Sequence, residues 1–205
     1  MGIQKTRQIL VDVARQLFAK DGKDNVTMND IATASQKGRR TLYTYFRNKN
    51  EIYHAVIEKE IKLMQEKLQE VLDQNLTPDQ KLISFMFVHL RAAKEALTRN
   101  GSLRADFFRD IYEVEYTRRR LDVWEVNQLK TILDEGVECE EFEPMDTQLT
   151  AQLVLYSLKG IEQPYFRDRI SEHIENRQID IIRFLYRGFS NRKNFKSYEN
   201  KEQND

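Results

Sequence analysis

Residues 26–51 read VTMNDIATASQKGRRTLYTYFRNKNE, and this stretch is the most informative part of the sequence. It contains a helix start, a short helix, a turn and a second short helix. Within the second helix, over residues 39–46, only Leu42 and Phe46 are clearly apolar, and most other positions are basic, hydroxyl or aromatic. A helix that buries one narrow stripe presents its other side chains to a partner, as a recognition helix in the DNA major groove must. The stretch therefore predicts a helix-turn-helix.

Capping residues indicate where the first of these helices begins. Thr27 with Asp30 three residues later predicts a capping box, in which each side chain accepts from the other residue's backbone amide. Val26 and Ile31 are placed as a hydrophobic staple across the same helix start. The sequence therefore predicts a helix over residues 28–34.

The rest of the chain predicts an all-α protein. Three prolines and seven glycines in 205 residues are too few for a turn-rich β protein. Apolar residues recur at helical spacing, and Gly22, Asn48 and Thr77 are placed as helix caps. The further helices are predicted at residues 4–20, 48–74, 77–97, from 101, 116–135, 147–163 and 170–189, with Gly136 and Pro164 ending the two helices that precede them.

Charge is divided unevenly along the chain. Lysine plus arginine equals aspartate plus glutamate at 33 each, so the formal net charge is zero. Residues 1–50 nevertheless contain ten basic and four acidic side chains, which leaves the remainder acidic by the same amount. A basic N-terminal segment on an acidic body indicates that only this segment meets a polyanion.

Several other classes of protein are disfavoured by the same sequence. The single cysteine, Cys139, cannot form an internal disulfide, and with no secretory or membrane-spanning segment it favours a cytoplasmic location. His54, His89 and His173 are scattered without metal-ligand spacing, and no nucleophile motif or phosphate-binding glycine loop is present. We therefore expect no enzyme activity, no catalytic residue, no metal site and no cofactor.

Residues 27–52 resemble the helix-turn-helix of the TetR-type (tetracycline-repressor) family of bacterial transcription regulators. The matching residues are Thr27, Asp30, Ile31, Ala32, Ala34, Thr41, Leu42, Tyr43, Tyr45, Phe46, Asn48, Lys49 and Ile52. Residues 14–22 are similar to the first helix of the family, and residues 181–189 are similar to its last helix. The resemblance implies an all-α fold with an N-terminal DNA-binding domain and a C-terminal helical domain for ligand binding and dimerisation.

The turn of the motif departs from the family pattern. Gln36-Lys37-Gly38 stands where the family usually has Gly-Val-Ser, so Lys37 must either extend to solvent or reach a phosphate. Gly38 replaces the serine that would cap the recognition helix, yet glycine is tolerated there and permits close approach of backbone to DNA. Arg40 replaces a frequent glycine, which places two adjacent arginines at the helix start.

These features predict which residues contact DNA. Arg39 and Arg40 are placed to donate to guanine edges, and Thr41 and Tyr43 to contact thymine methyls or phosphates. The resemblance implies that Thr27, Lys37, Tyr45 and Lys49 contact the phosphate backbone and set the register. The predicted DNA-binding residues are Thr27, Lys37, Gly38, Arg39, Arg40, Thr41, Tyr43, Thr44, Tyr45 and Lys49.

One recognition helix covers too little DNA for a specific operator, so we predict a homodimer on near-palindromic double-stranded DNA. The two C-terminal helices are apolar on more than one face, and pairing with their copies would form a four-helix interface, as the resemblance also implies. The predicted interface residues are Leu149, Leu153, Tyr156, Ile174, Ile181 and Leu185. The predicted domains are 1–48 for DNA binding, 49–190 for effector binding and dimerisation, and a disordered polar tail at 191–205.

The resemblance also implies a small effector that binds the helical body and releases the operator. Aromatic side chains in the body favour an apolar or aromatic effector, with histidine and tyrosine as polar anchors. The candidate residues are Phe85, His89, Phe107, Phe108, Tyr112, Tyr116, Trp124 and Tyr156. The alternatives are that these are ordinary core residues and that the chain is a ligand-independent DNA-binding or architectural protein, or an adaptor that binds proteins through its helices.

Overall fold

A computed structural model of the chain describes residues 2–100 and 111–167, with side chains at residues 4–100, 118–162 and 164–167. Seven α-helices and no β-strand occur within these ranges, which confirms the all-α prediction. In chain order the helices are α1 (Gly2–Asp21), α2 (Met28–Ala34), α3 (Arg39–Tyr45), α4 (Lys49–Leu72), α5 (Pro78–Arg99), α6 (Ile111–Glu138) and α7 (Thr147–Phe166). Two compact units are formed, one by Met1–Glu66 with Glu95–Leu121 and the other by Lys67–Lys94 with Asp122–Asp205.

The core of the first unit holds the three N-terminal helices around the first half of α4. Leu42, the buried residue of α3, has no exposed surface and packs in one cluster with apolar side chains of α1 and α2. Phe18 of α1 and Tyr53 of α4 meet edge to face with their ring centroids 6.1 Å apart. Because the short helices have only seven residues each, this packing rather than intrinsic helix propensity stabilises them.

Three predicted helix caps, at Thr27, Asn48 and Gly22, are confirmed. Thr27 and Asp30 form the capping box of α2, with Asp30 N donating to Thr27 Oγ1 at 3.2 Å and Thr27 N donating to Asp30 Oδ2 at 2.8 Å. Hydrogen bonds from Thr27 hold the pKa of Asp30 below its ordinary value. Glu51 N donates to Asn48 Oδ1 at 3.0 Å at the start of α4. Gly22 ends α1 with a φ of 82° and donates its amide to Phe18 O at 3.0 Å.

The second unit is built on the apolar faces of α5, α6 and α7. Its buried residues include Phe85 of α5, Leu129 and Leu133 of α6, and Leu155 and Leu158 of α7. Polar contacts also join these helices: Lys81 Nζ lies 3.3 Å from Glu135 Oε2, and Lys159 pairs with Asp122. Thr147 Oγ1 at the start of α7 donates to Asp134 Oδ1 of α6 at 2.6 Å.

Two predicted helix ends are wrong. Gly136 lies inside α6, which continues to Glu138, and a Cβ at this position would meet the Phe142 ring at 2.1 Å. The glycine therefore makes room for Phe142 instead of ending the helix. Pro164 lies inside α7, which ends at Phe166, because a proline within the last turn removes few backbone hydrogen bonds. The predicted helices that begin near residues 101 and 170, and the tail at 191–205, lie outside the described residues.

Candidate functional site

Helix α3 presents its polar side chains away from the core. Leu42 is fully buried, whereas Arg39, Arg40 and Thr44 are exposed and Tyr43 retains 45% of its accessible surface. Because nearly half of its surface stays in water, Tyr43 gains less from folding than a fully buried tyrosine would. The outer face of α3 is thus a basic, hydroxyl and aromatic surface that no described residue of the first unit covers.

The turn between α2 and α3 is a Schellman motif. Lys37 N donates to Ala32 O and Gln36 N donates to Thr33 O, both at 3.1 Å. Gln36 adopts a φ of 54°, the left-handed conformation that favours glycine. This geometry explains the usual family glycine at the position, and it shows that glutamine has been accepted there at a cost in backbone strain.

Replacing Gln36 with glycine is expected to raise the free energy of unfolding by about 0.5–1 kcal/mol. The left-handed conformation costs a non-glycine residue about 1–2 kcal/mol, and the greater freedom of glycine in the unfolded chain offsets part of that gain. Denaturant titration measures the change. Gln16→Gly, at an exposed position inside α1, is the matched control and should lower stability by about 1 kcal/mol. Equal losses for both variants would contradict the strain at Gln36.

The start of α3 is open. Gly38 is the N-cap with extended backbone and makes no side-chain cap, and a Cβ there would meet only Thr41 Oγ1, at 4.0 Å. Glycine is therefore not required by crowding within the protein. Its absence of a side chain leaves the amides at the start of α3 accessible to an anion such as a DNA phosphate.

Several predicted backbone-contact residues also have contacts within the protein. Lys49 Nζ donates to Lys23 O at 2.6 Å and to Asp24 O at 3.2 Å, so this lysine joins α4 to the α1–α2 loop. Tyr45 is partly buried and packs against the core cluster, and Lys37 is partly buried. Thr44 Oγ1 donates to Arg40 O at 2.9 Å within α3. Among the predicted residues, Arg39, Arg40 and Tyr43 therefore have the fewest internal constraints.

Two features of the first unit were not predicted. Arg7 of α1 lies over the Phe46 ring, 5.1 Å from its centroid, and so steadies the end of α3. At the end of α5, Arg99 Nη2 lies 2.8 Å from Glu60 Oε2 of α4, and Arg15 Nη1 of α1 donates to Arg99 O at 3.1 Å. Because these partners are far apart in sequence, no local spacing of residues could predict the contacts.

In the second unit, His89 is buried between two carboxylates. Its Nδ1 lies 2.6 Å from Glu125 Oε1 on α6, and its Nε2 lies 3.0 Å from Glu162 Oε1 on α7. His89 and Glu125 each retain 1% of their side-chain surface and Glu162 retains 7%. Burial lowers the pKa of His89, but the charges and hydrogen bonds of Glu125 and Glu162 outweigh burial and raise it to about 9. His89 is thus an imidazolium that joins three helices.

The charge of His89 should make the free energy of unfolding depend on pH. A pKa raised from 6.5 to about 9 adds stability that is fully present below pH 6.5 and is lost as pH rises through 9. At about 1.4 kcal/mol per pH unit between the two values, wild type should lose at most about 3–4 kcal/mol relative to His89→Gln over this window. Denaturant unfolding at fixed protein concentration measures the difference. A difference that stays constant from pH 6 to 10 would contradict the charged state.

The other predicted effector residues are dispersed. Phe85 is buried one turn from His89 on α5, and Trp124 of α6 is partly exposed. Tyr156 retains 65% of its surface and lies on the outer face of α7, beside the predicted interface residues Leu149 and Leu153, which retain 51% and 57%. Its position favours the interface role over the effector role. The side chains of Phe107, Phe108, Tyr112, Tyr116, Ile174, Ile181 and Leu185 lie outside the described residues.

No helix in the described part of the chain combines the length and apolar character needed to cross a membrane. The same residues contain no group of three histidine, cysteine or acidic side chains arranged to hold a metal ion.

The N-terminal helices are similar to a known sequence family. The family model for bacterial regulatory proteins of the tetR family matches residues 10–56. The uncharacterized HTH-type transcriptional regulator YhgD of Bacillus subtilis (strain 168) is 22% identical over 154 residues, which cover 73% of this chain and 78% of that protein. The probable acrEF/envCD operon repressor of Escherichia coli (strain K12) is 37% identical over 73 residues, which cover 36% of this chain and 31% of the repressor.

Solved structures share the fold over most of the chain. A transcriptional regulator from Cytophaga hutchinsonii ATCC 33406 superimposes with a TM-score of 0.74 at 19% identity, covering 90% of this chain and 98% of that one. A protein from Saccharomonospora viridis in complex with choline gives a TM-score of 0.70 at 15% identity, covering 92% and 100% of the two chains. The helix-turn-helix and the helical C-terminal domain predicted from the sequence are therefore confirmed as a fold.

Proposed function

We propose that this chain is a TetR-type transcriptional regulator. It binds a near-palindromic operator as a homodimer, and a small effector releases it from the DNA. One observation supports the DNA-binding part most strongly. Helix α3 buries Leu42 and leaves Arg39, Arg40 and Tyr43 outward, so its free surface has the hydrogen-bonding groups that read base edges.

Within this proposal, some residues of α3 and its surroundings contact bases and others contact the phosphate backbone. Arg39 and Arg40 donate to guanine O6 and N7, and Tyr43 contacts a thymine methyl or a phosphate. Lys37, the open amides after Gly38, and the hydroxyl groups of Thr27 and Thr41 contact the phosphate backbone. Lys49 contributes by fixing the start of α4 through its bonds to the α1–α2 loop, in addition to any phosphate contact.

The dimer would form through α7 and the helix predicted after residue 170. Leu149, Leu153 and Tyr156 are spaced at i, i+4 and i+7 on α7 and are each more than half exposed. Gly160 continues this face one turn later, and nothing lies within 4 Å of the position its Cβ would occupy. An apolar stripe that ends in a glycine permits close approach of a second helix, and a twofold axis would pair the stripe with its own copy.

In the cytoplasm, the operator-bound dimer represses transcription. A small effector with an apolar or aromatic body binds the second unit and relieves this repression. The choline complex of the protein from Saccharomonospora viridis supports a ligand-binding role for a body of this fold. The buried ionic group of His89, Glu125 and Glu162 also favours a ligand-binding body, because strongly perturbed ionisable residues concentrate at functional sites. We propose no catalytic role for the chain.

Selection of genomic DNA fragments by the purified protein tests the proposal. The expected result is a small set of fragments with a shared near-palindromic sequence, bound with an affinity that falls steeply as salt rises, by about 0.9 in the log–log slope per neutralised phosphate. Enrichment without a shared sequence would instead support an architectural DNA-binding protein. Absence of any enrichment would support the adaptor alternative and contradict the proposed function.

A further inference from the structure

The end of α5 is fastened to two helices of the first unit by Arg99. Its Nε and Nη2 lie 3.2 Å and 2.8 Å from Glu60 Oε2 on α4, so two N–H groups of one guanidinium donate to one carboxylate oxygen. Its main-chain oxygen accepts a hydrogen bond from Arg15 Nη1 on α1 at 3.1 Å. One residue therefore joins the last turn of α5, which belongs to the first unit, to both α1 and α4.

The contacts of Arg99 are directional. Glu60 retains 5% of its side-chain surface and Arg99 retains 35%, so the carboxylate is removed from water where it meets the guanidinium. A planar fork of N–H donors fits a carboxylate in few relative positions, whereas apolar packing has no such requirement. The donor from Arg15 reaches one of the last carbonyls of α5, which lack partners within their own helix. A shift of α5 against α1 or α4 would break these bonds.

A buried ion pair of this kind is an inefficient way to stabilise a fold. Desolvation of both charges offsets much of their attraction, and apolar residues of similar volume often replace such a pair without loss of stability. The benefit best attested for buried polar groups is that they specify one arrangement of helices over others. Here the helices concerned are α1 and α4, which also contribute to the apolar cluster around Leu42 of α3. The position of α3 therefore follows theirs.

We propose that Arg99 is a positioning residue for operator binding and restricts the protein to one separation of the operator half-sites. This inference rests on the dimeric operator binding proposed above and adds a determinant of specificity outside the helix-turn-helix. Arg99 acts through Glu60 and Arg15, on the helices that support α3, and not by touching the DNA. Loss of its contacts leaves each copy of α3 freer to move within the dimer.

Operators with altered spacing test this role. Each base pair inserted or removed between the half-sites shifts one of them by about 3.4 Å along the DNA and rotates it by about 34°. Wild type is expected to lose affinity by about tenfold or more when the spacing changes by two base pairs. Glu60→Leu with Arg99→Met replaces the ion pair by apolar side chains, and this double variant should lose about threefold or less. Fluorescence anisotropy with the set of duplexes measures both ratios.

The ratio between spacings separates positioning from stability. A variant that is only less stable would bind every duplex more weakly by the same factor, and its ratio would remain that of wild type. Arg99→Lys is the second variant, because it keeps a positive charge beside Glu60 but has one nitrogen in place of the fork. Its discrimination between spacings should lie between those of wild type and the double variant.

The matched control is Asp12→Asn with Lys59→Gln, which removes a neighbouring ion pair between α1 and α4 that does not involve α5. It should keep the discrimination of wild type. Full discrimination in both Arg99 variants, an equal loss in the control, or equal binding of all spacings by wild type would overturn the inference. Wild-type protein that binds no operator at any spacing would contradict the proposed function itself, so the two failures are distinguishable.

Discussion

Replacing Arg39 and Arg40 together with alanine is expected to weaken binding to the selected operator by about 30-fold or more. Each bidentate contact between an arginine and a guanine contributes about 1–3 kcal/mol of discrimination, so two such contacts account for a loss of at least about 2 kcal/mol. Both side chains are exposed and have no hydrogen bond or ion pair among the described contacts, so the variant should fold normally. Fluorescence anisotropy with operator and scrambled duplexes at fixed salt measures the change.

The control for this variant is a pair of adjacent arginines on another surface. Arg119→Ala with Arg120→Ala on α6 removes the same charge from exposed positions outside the helix-turn-helix. If net charge alone attracts DNA, both double variants will lose affinity equally for operator and scrambled DNA. If α3 reads the sequence, only the Arg39 and Arg40 variant will lose its preference for the operator. Retention of that preference would remove both arginines from the recognition surface.

Replacing Leu153 with glutamate is expected to separate the dimer into monomers at micromolar concentration and to abolish stable operator binding. Leu153 retains 57% of its surface in the single chain, so a charge there costs the folded monomer little. In the proposed dimer the same side chain lies near the twofold axis, where two glutamates would be buried close together. Analytical ultracentrifugation measures the assembly, and operator titration measures the functional loss.

Val123→Glu provides the comparison for Leu153→Glu. Val123 is an exposed apolar residue of the second unit, with 62% of its surface accessible, but it lies on α6 and outside the proposed stripe. This variant should remain dimeric and bind the operator as wild type does. A Leu153→Glu protein that stays dimeric would place the interface elsewhere, and the roles of Leu149 and Tyr156 as interface residues would fail with it.

Local sequence patterns predicted the helix-turn-helix well because its signals act over a few residues. Thr27 with Asp30 caps α2 within one turn, and the buried Leu42 in an otherwise polar α3 sets which face is turned outward. The departure at Gln36 was visible as a missing glycine, but its φ of 54° required coordinates. These features depend on neighbours three or four positions apart. Helix periodicity and capping act over the same range and can therefore be predicted from sequence.

The ionic contacts between helices could not be predicted in the same way. His89 meets Glu125 and Glu162, which are 36 and 73 residues away along the chain, and helical spacing contains no information about such pairs. The sequence predicted His89 as a polar anchor for the effector, whereas its partners and its charge followed only from packing. Gly136 shows the same limit, because the residue that requires it, Phe142, lies beyond the end of the helix.

Hydroxyl-radical footprinting of the ligand-free protein on a selected operator tests whether a dimer places two copies of α3 on the DNA. A dimer that places two copies of α3 in successive major grooves should protect two half-sites related by a dyad, with centres about one helical turn apart or a multiple of it. The Arg39 and Arg40 variant should lose both protections together, and the Arg119 and Arg120 variant should keep them. A single protected half-site, or the same footprint for wild type and the Arg39 and Arg40 variant, would contradict the account.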